Sequence, residues 1–306
     1  MSARFDVVGV GANSVDFVYC LPQHPESQGP GAKLRISRHW VSCGGQTATA
    51  LAACRSFGLS ACYIGAIGAD DNGRRMREEL ARRGVTIDAG VADAGANQFA
   101  VILLDQRNGE RIVLWDREDR PSSNPMPLPR DAIAAARLLH VDDVDQEAAI
   151  RAALIARDAG VPVTSDIDRL TDRTGELIQA VTIPIVAEHV LPAITGESDP
   201  ERGLRKLRAR HDGTLCVTLG ANGAAMLDGD RFIHVPGIKV DAVDTTGSGD
   251  VFRGGFIYAS LNGSTPEVAL HFANAAAAAS CTRRGAIDSV PALEGVRALL
   301  GNQRLR

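Results

Sequence analysis

The sequence predicts an α/β fold: a doubly wound, mostly parallel sheet flanked by helices, with a small β-sheet lid. From residue 138 onward, short apolar strands alternate with helical segments, which is typical of a parallel sheet covered on both faces. Before that point, four β segments interrupt the alternation, at 13–20, 32–41, 98–104 and 110–116. We therefore expect a single domain over residues 1–306, with the lid formed by insertions at about 13–41 and 97–117.

Glycines delimit the elements in the first part of the chain. The apolar run Phe5–Val10 predicts a buried strand, and Gly44-Gly45 opens a predicted helix from Gln46 to Phe57 that Gly58 stops. Asp105–Gly109 predicts a hairpin-like turn between the last two lid segments. The other predicted elements here are a strand at 61–67 and a helix from Asp71 to Arg83, stopped by Gly84.

The second part of the chain keeps the alternation of strands and helices, after a Pro/Ser-rich loop at Pro121–Pro129. Ligands in such sheets bind beyond the carboxyl ends of the strands, so we expect a site there. The predicted strands are 138–142, 161–166, 183–186, 214–218, 224–227 and 231–235, and the predicted helices are 146–158, 172–180, 199–210, 249–261, 265–282 and 291–300.

Composition excludes several classes of protein. Hydrophobic residues make up 45% and charged residues 23%, which suits a globular core and argues against disorder. The net charge of −4 comes without a basic block, which argues against a nucleic-acid binder. No apolar run reaches the ~18 residues needed to span a bilayer, and the N-terminus lacks a signal-peptide core. We therefore expect a cytoplasmic protein, with its six cysteines as buried free thiols because no C-x-x-C pair occurs.

The strongest chemical signal is the glycine-rich run Val243–Phe256. Gly247 and Gly249 bracket Ser248 immediately before an apolar helix, so successive backbone N–H groups can point outward and hold a phosphate or a developing oxyanion. Asp250 lies in the first helical turn, directly after this run of small residues, and is a candidate functional carboxylate. The alternative is an acid that only favours the helix dipole.

This run resembles the C-terminal signature of the ribokinase-like (PfkB-type) carbohydrate kinases. Three further segments resemble the family in the order in which it carries them, so that the resemblance covers about residues 5–300 and implies the ribokinase-like version of the fold. Val41–Ala52 is similar to its Gly-Gly sugar-binding segment, Val217–Gly223 to its nucleotide strand-turn, and Ser280–Ala286 to its adenine and monovalent-cation loop.

The resemblance implies an ATP-dependent phosphorylation of a hydroxyl of a sugar or sugar-like molecule, with Mg²⁺ as a cofactor. Asp250 would deprotonate the hydroxyl, and Gly247, Ser248 and Gly249 would form the anion hole. The substrate residues would be Ser14, Asp16, Gly44, Gly45 and Thr49, together with Asp250. The ATP residues would be Thr218, Gly220, Gly223, Gly249 and Asn274. The residues matching a potassium site would be Asp244, Thr246, Ser280, Arg283, Gly285 and Ser289.

Some positions depart from the family pattern. Relatives often carry Asn-x-x-Glu to organise magnesium and phosphate, but the aligned stretch is Ala187-Glu188-His189-Val190. Glu188 is the candidate replacement as a magnesium residue, and an ordinary surface carboxylate is the alternative. Thr49 stands where ribokinases usually have asparagine, which leaves the identity of the sugar open.

Acidic residues also follow the strand at 138–142. His140, Asp142, Asp143 and Asp145 are expected near the site, with a solvated acidic loop as the alternative for the last two.

Other functions were weighed against the kinase interpretation. Gly9-Val-Gly11-Ala-Asn-Ser14 suggests a dinucleotide fingerprint, but the following segment predicts a strand where that motif requires a helix. The sequence also lacks the Gly-x-x-x-x-Gly-Lys-Ser/Thr motif of Walker-type NTPases. A nucleoside kinase, a sugar-acid kinase and a non-catalytic sugar- or nucleotide-binding relative remain as alternatives.

The lid segments predict a homodimer. Apolar residues on them would leave an outer face that soluble monomers usually avoid exposing, and two lids packed by a two-fold axis would bury it. A polar outer face on a monomer is the alternative. The apolar residues are Val15, Phe17, Val18, Leu34, Ile36, Val101, Leu103, Ile112 and Leu114.

Overall fold

A computed structural model describes residues 4–88, 95–107, 110–117 and 126–303. Residues 108–109 of the predicted hairpin turn and residues 121–125 of the predicted loop lie outside the described residues.

The strands are β1 Phe5–Val10, β2 Ser14–Leu21, β3 Arg38–Gly44, β4 Ala61–Ile64, β5 Thr86–Ile87, β6 Phe99–Asp105, β7 Arg111–Asp116, β8 Ala136–Asp142, β9 Val163–Asp166, β10 Ile185–Ala187, β11 Leu215–Thr218, β12 Ala224–Asp228 and β13 Arg231–Val235. The α-helices are α1 Gln46–Ser56, α2 Asp71–Arg82, α3 Arg130–Ala134, α4 Gln146–Asp158, α5 Thr174–Ala180, α6 Val190–Thr195, α7 Pro200–Arg208, α8 Ser248–Leu261, α9 Pro266–Cys281 and α10 Leu293–Gln303.

The central layer is a twisted sheet with helices on both sides, as predicted. Five parallel strands take the order β5-β4-β1-β8-β9, and β10-β11-β12-β13 continue beyond them. Single parallel bridges, Thr164 to Ile183 and Ile167 to Val186, join the two groups. Val7 packs into one apolar core and Val8 into the other, because successive side chains of a strand point to opposite faces. The first core contains side chains of α1, α8 and α9, and the second contains side chains of α3, α4, α5 and α7.

A separate four-stranded sheet, which we call the small sheet, has the order β3-β2-β6-β7. The prediction of an extended segment over 32–41 is wrong in its first part: the structure has a 3-10 turn at Pro30–Ala32, and the strand runs from Arg38 to Gly44. The reason is pairing, since β3 pairs with β2 from Gly44 to Arg38 and β2 ends at Leu21, before Pro22. Residues 33–37 therefore have no strand of the small sheet to pair with.

Short elements escaped prediction because they are too short to show a period. These are α3, α6 and β5, none longer than 6 residues. The six cysteines are free thiols, and all but Cys281 are buried, as predicted. Among the described residues, no helix has both the length and the apolar composition needed to cross a bilayer.

Candidate active site

The glycine-rich turn forms the start of α8. Gly247 has a φ of 75°, the left-handed region that favours glycine. The N–H of Ser248 donates to Thr245 O at 3.3 Å, whereas in the described residues the N–H groups of Gly249 and Asp250 have no backbone acceptor. Free N–H groups at the positive end of a helix dipole suit a bound anion.

Asp250 lies beside a buried ion pair that sequence reasoning missed. Arg253, on the next turn of α8, and Asp166, the last residue of β9, are 2.8 Å apart, and each side chain is only 3% exposed. Burial and then the neighbouring Asp166 raise the pKa of Asp250 well above its ordinary value. Burial also raises the pKa of Asp166 to about 7, against the lowering effect of Arg253. The positive charge of Arg253 acts against both upward shifts, although its ion pair is with Asp166.

The polar residues after β8 are buried rather than solvated. Asp142 accepts hydrogen bonds from the Ala12 and Thr47 N–H groups at 2.6 and 3.2 Å, which ties β1 and α1 to the sheet edge. Asp143 pairs with Arg169 at 3.3 Å, and burial raises its pKa to about 6.

Two further polar residues near the end of β8, Asp145 and His140, differ from these in role. The alternative of a solvated loop is wrong for Asp143, which is buried, while Asp145 caps α4 by accepting from the Ala148 N–H at 3.0 Å. Burial, and then Arg253, lower the pKa of His140 to about 3, so this imidazole is neutral.

The predicted substrate residues of this part of the chain lie at the start of β2, at the end of β3 and in α1. Ser14 Oγ donates to Asp16 Oδ1 at 2.7 Å, and burial raises the pKa of Asp16. A Cβ built at Gly44 would lie 2.7 Å from Asp16 Oδ2, and one at Gly45 would lie 2.3 Å from Asn13 Cα. Side chains at these two positions would therefore displace the carboxylate or the backbone. Thr49 is fully buried in α1, and its hydroxyl has no hydrogen-bond partner among the described residues.

The substrate segment and the glycine-rich turn meet at one alanine. A Cβ at Gly44 would lie 3.2 Å from Ala286 Cβ, and a Cβ at Gly247 would lie 2.8 Å from Ala286 Cα. Next to this junction, a narrow cleft lies between the small sheet and the loops that precede α8 and follow α9. Its walls are formed by Asp16, Val18, Ser42, Ile102, Leu104, Arg111, Asp244, Thr246 and Gly285.

Three of the predicted nucleotide residues, Thr218, Gly220 and Gly223, lie at the end of β11 and in the turn that leads to β12, whereas Gly249 is in α8 and Asn274 is in α9. Gly223 has a φ of 92°, and a Cβ there would lie 2.1 Å from Val235 O. Asn274 Nδ2 donates to Val235 O at 3.0 Å and to Pro236 O at 3.2 Å, so this amide nitrogen fixes the loop after β13. Glu188 is exposed after β10, with Oε2 4.0 Å from a Cβ built at Gly220, and Thr218 ends β11 close by.

The residues matched to a potassium site are only partly brought together. Gly285 N–H donates to Asp244 Oδ2 at 2.9 Å, and Thr246 Oγ1 donates to Asp244 Oδ1 at 2.7 Å. The hydroxyls of Ser280 and Ser289 instead donate to the carbonyls of Ala277 and Ala286, both at 2.8 Å. Arg283 is exposed in the loop between them.

Within the described residues, no group of three or more His, Cys, Asp or Glu side chains is arranged to hold a metal ion. Such a cage is not required for Mg²⁺ in a phosphate-transferring site, because Mg²⁺ is usually held by substrate phosphates with one or two carboxylates. Exposed Glu188 beside the nucleotide turn is compatible with that role.

The sequence matches the family described as pfkB family carbohydrate kinase over residues 5–293. A relative named ATP-dependent ribose-1-phosphate kinase, from Halopiger xanaduensis, is 31% identical over 301 residues, which covers 97% of this chain and 98% of that protein. The ribokinase of Haemophilus influenzae is 27% identical over 92% of this chain and 94% of its own length.

Solved structures show the same architecture. A putative ribokinase from Agrobacterium tumefaciens superposes with a TM-score of 0.90 at 26% identity, covering 98% of each chain. The ribokinase of Thermotoga maritima superposes with a TM-score of 0.83 at 25% identity, covering 97% of this chain and all of that one.

Proposed function

The chain belongs to the pfkB family of carbohydrate kinases and is an ATP-dependent kinase of that class, and we propose that Asp250 is the base that activates the acceptor hydroxyl. The observation that carries this assignment is the start of α8, where Asp250 and the unpaired N–H groups of Gly249 and Asp250 lie together. A base and an anion site within one helical turn are what phosphoryl transfer requires of the protein.

In this proposal each motif takes one task. Asp16 and the bare backbone at Gly44 orient the hydroxyls of the acceptor, and Asp250 takes the proton of the attacking one. The N–H groups at the start of α8 stabilise the negative charge on the transferring phosphoryl group. The small sheet acts as a lid that excludes water. Mg²⁺, when bound with ATP, neutralises charge on the phosphates.

The acceptor is narrowed to a sugar or sugar-like molecule by the relatives, whose names include ribose-1-phosphate kinase, ribokinase and aminoimidazole riboside kinase. A nucleoside or a sugar acid as acceptor, and a non-catalytic sugar-binding protein, are the competing functions.

The test is a panel of sugars, sugar phosphates, sugar acids and nucleosides with ATP and Mg²⁺. ADP release should be accompanied by a phosphorylated product with at least one acceptor. Loss of that product in Asp250→Asn, prepared in parallel, excludes a contaminating kinase. ATP binding without transfer to any acceptor would favour the non-catalytic function.

Glu188→Gln tests the magnesium proposal. Glu188 stands beside Gly220 at the nucleotide turn, so removing its charge should raise the Mg²⁺ concentration that gives half-maximal rate. The measurement is a Mg²⁺ titration at saturating ATP, with Glu201→Gln on α7, whose partner is Arg205, as the control. An unchanged titration would make Glu188 an ordinary surface carboxylate.

We also propose the homodimer through the small sheet. On β7, Leu114 is 56% exposed and Ile112 is 38% exposed, and their strand neighbours Val101 and Leu103 share that outer face. The predicted face needs correction at three places. Val15 is buried in the first apolar core, and Phe17 packs against that core. Val18 points to the inner face and lines the cleft, and Leu34 and Ile36 lie outside the strands.

Leu114→Glu should therefore yield a monomer. A buried carboxylate without a partner at the centre of the contact would oppose association. Light scattering after size exclusion should give twice 32.3 kDa for the parent and one chain for the variant. Leu170→Glu, at a position equally exposed but far along the chain, is the control and should stay a dimer. A parent mass of one chain would contradict the proposal.

A further inference from the structure

Arg111 contacts the same two side chains that the resemblance assigns to a potassium ion. Its Nη1 lies 3.5 Å from Asp244 Oδ1 and forms a hydrogen bond with Thr246 Oγ1. The Asp244 side chain is 10% exposed and that of Arg111 is 31% exposed, so the contact is shielded on the carboxylate side. The guanidinium therefore already supplies a positive charge at this position.

The oxygen atoms that would hold a monovalent cation are engaged in hydrogen bonds. Asp244 Oδ1 accepts from the Thr246 N–H at 2.9 Å as well as from its hydroxyl, and Oδ2 accepts from Gly285 N–H. The hydroxyls of Ser280 and Ser289 turn to their own backbone. Because the Arg111 guanidinium already lies against Asp244 Oδ1 and Thr246 Oγ1, the side chains of these residues do not fit a potassium site.

We propose that Arg111 takes the place of a monovalent cation in this kinase. Its guanidinium neutralises Asp244 and positions the turn that leads into Gly247 and the start of α8. Arg111 is thus a positioning residue, since it reaches the anion site only through Asp244 and Thr246.

The origin of this charge matters because Arg111 belongs to the small sheet. It is the first residue of β7, and Arg117, just beyond the last residue of that strand, donates to Val144 O, in the segment after β8, at 2.6 Å. The strand is therefore fastened to the main domain near both ends. An ion would reach Asp244 from solvent at any time, whereas this guanidinium arrives with β7, so charge compensation and covering of the cleft occur together.

The proposal rests on the proposed kinase function, and its test has one part that needs no turnover. For the parent protein, the melting temperature and the rate are measured in potassium, sodium and tetramethylammonium chloride at equal ionic strength. The rate should change by less than about twofold between these salts, because only general screening remains. The melting temperature should be equally insensitive to the choice of cation.

Arg111→Ala should open the position to an ion. The variant should be about tenfold slower in tetramethylammonium, the scale of one charge-assisted hydrogen bond. Potassium or millimolar methylguanidinium should restore much of the rate, and potassium should raise the melting temperature relative to tetramethylammonium. Arg111→Lys should need less rescue, and Arg75→Ala, an exposed arginine on α2, should behave as the parent.

Strong activation of the parent by potassium would overturn the proposal, as would an Arg111→Ala variant with parent rates and no response to any cation. If Arg111→Ala does not fold, Arg111→Lys and the insensitivity of the parent still decide. If no acceptor is phosphorylated at all, the melting temperatures test Arg111 separately from the kinase assignment.

Discussion

Asp250→Asn is expected to lose at least about 10²-fold in kcat, the usual scale for removing a general base. The amide has nearly the shape of the carboxylate, so the start of α8 should keep its structure and ATP should still bind. The measurement is steady-state turnover together with ATP affinity on the same preparation. Asp212→Asn, which removes a surface carboxylate, is the control for the change in net charge.

The pH dependence gives a second test of the same group. Burial and Asp166 raise the pKa of Asp250, so the parent should lose activity as the pH falls through a pKa above the ordinary 3.8. Asp166→Asn removes the neighbouring negative charge and should move this limb of the profile to lower pH. Near-normal turnover of Asp250→Asn would exclude Asp250 as the base. An acid limb of the pH profile that is unchanged in Asp166→Asn would show that Asp166 does not raise the pKa of the catalytic group.

Arg253→Met is expected to lower the free energy of unfolding by about 3–5 kcal/mol, the scale for breaking a buried ion pair on one side. The guanidinium and Asp166 are both 3% exposed and 2.8 Å apart, so the variant would leave Asp166 without its ion-pair partner and would remove a positive charge near Asp250. The loss is measured by urea denaturation, and the slope of the free energy of unfolding against urea concentration should be unchanged.

Two further variants test whether charge or packing explains that loss. Arg253→Met combined with Asp166→Asn should recover a large part of the stability, because an uncharged partner no longer lacks compensation. Arg205→Met breaks an ion pair with Glu201 in which both side chains are more than 40% exposed, and it should cost far less. Equal losses in Arg253→Met and the double variant would assign the effect to packing instead.

The regular part of the fold was predictable because local signals repeat. Helix α4 has the predicted bounds, 146–158, since Asp145 caps it and Gly160 follows its end. The start of β3 was not predictable, because it is set by the end of its partner β2 far from the residues concerned. Local sequence specifies helix ends, whereas pairing between distant segments specifies strand ends.

The candidate site divides along the same line. The Gly247–Asp250 turn could be predicted because its residues are consecutive in the sequence. The structure adds which of its N–H groups have no backbone acceptor. Asp166 is separated from Arg253 by 87 positions in the sequence, so no local sequence pattern predicts their ion pair. A charged residue on the apolar face of a predicted helix, as Arg253 is one turn after Asp250, was the one signal that would have found it.

The contact at Ala286 has a consequence for how substrate choice can change in a protein built this way. One methyl group separates the backbone that would hold the acceptor from the backbone that would hold the phosphate, and neither Gly44 nor Gly247 leaves space for a Cβ beside it. If these two segments hold the reactants as proposed, we expect the spacing between acceptor and phosphate to change little from one acceptor to another. New acceptors can be accommodated only by altering the outlying walls of the cleft, such as Val18 and Ile102, so specificity and reactivity can be engineered separately.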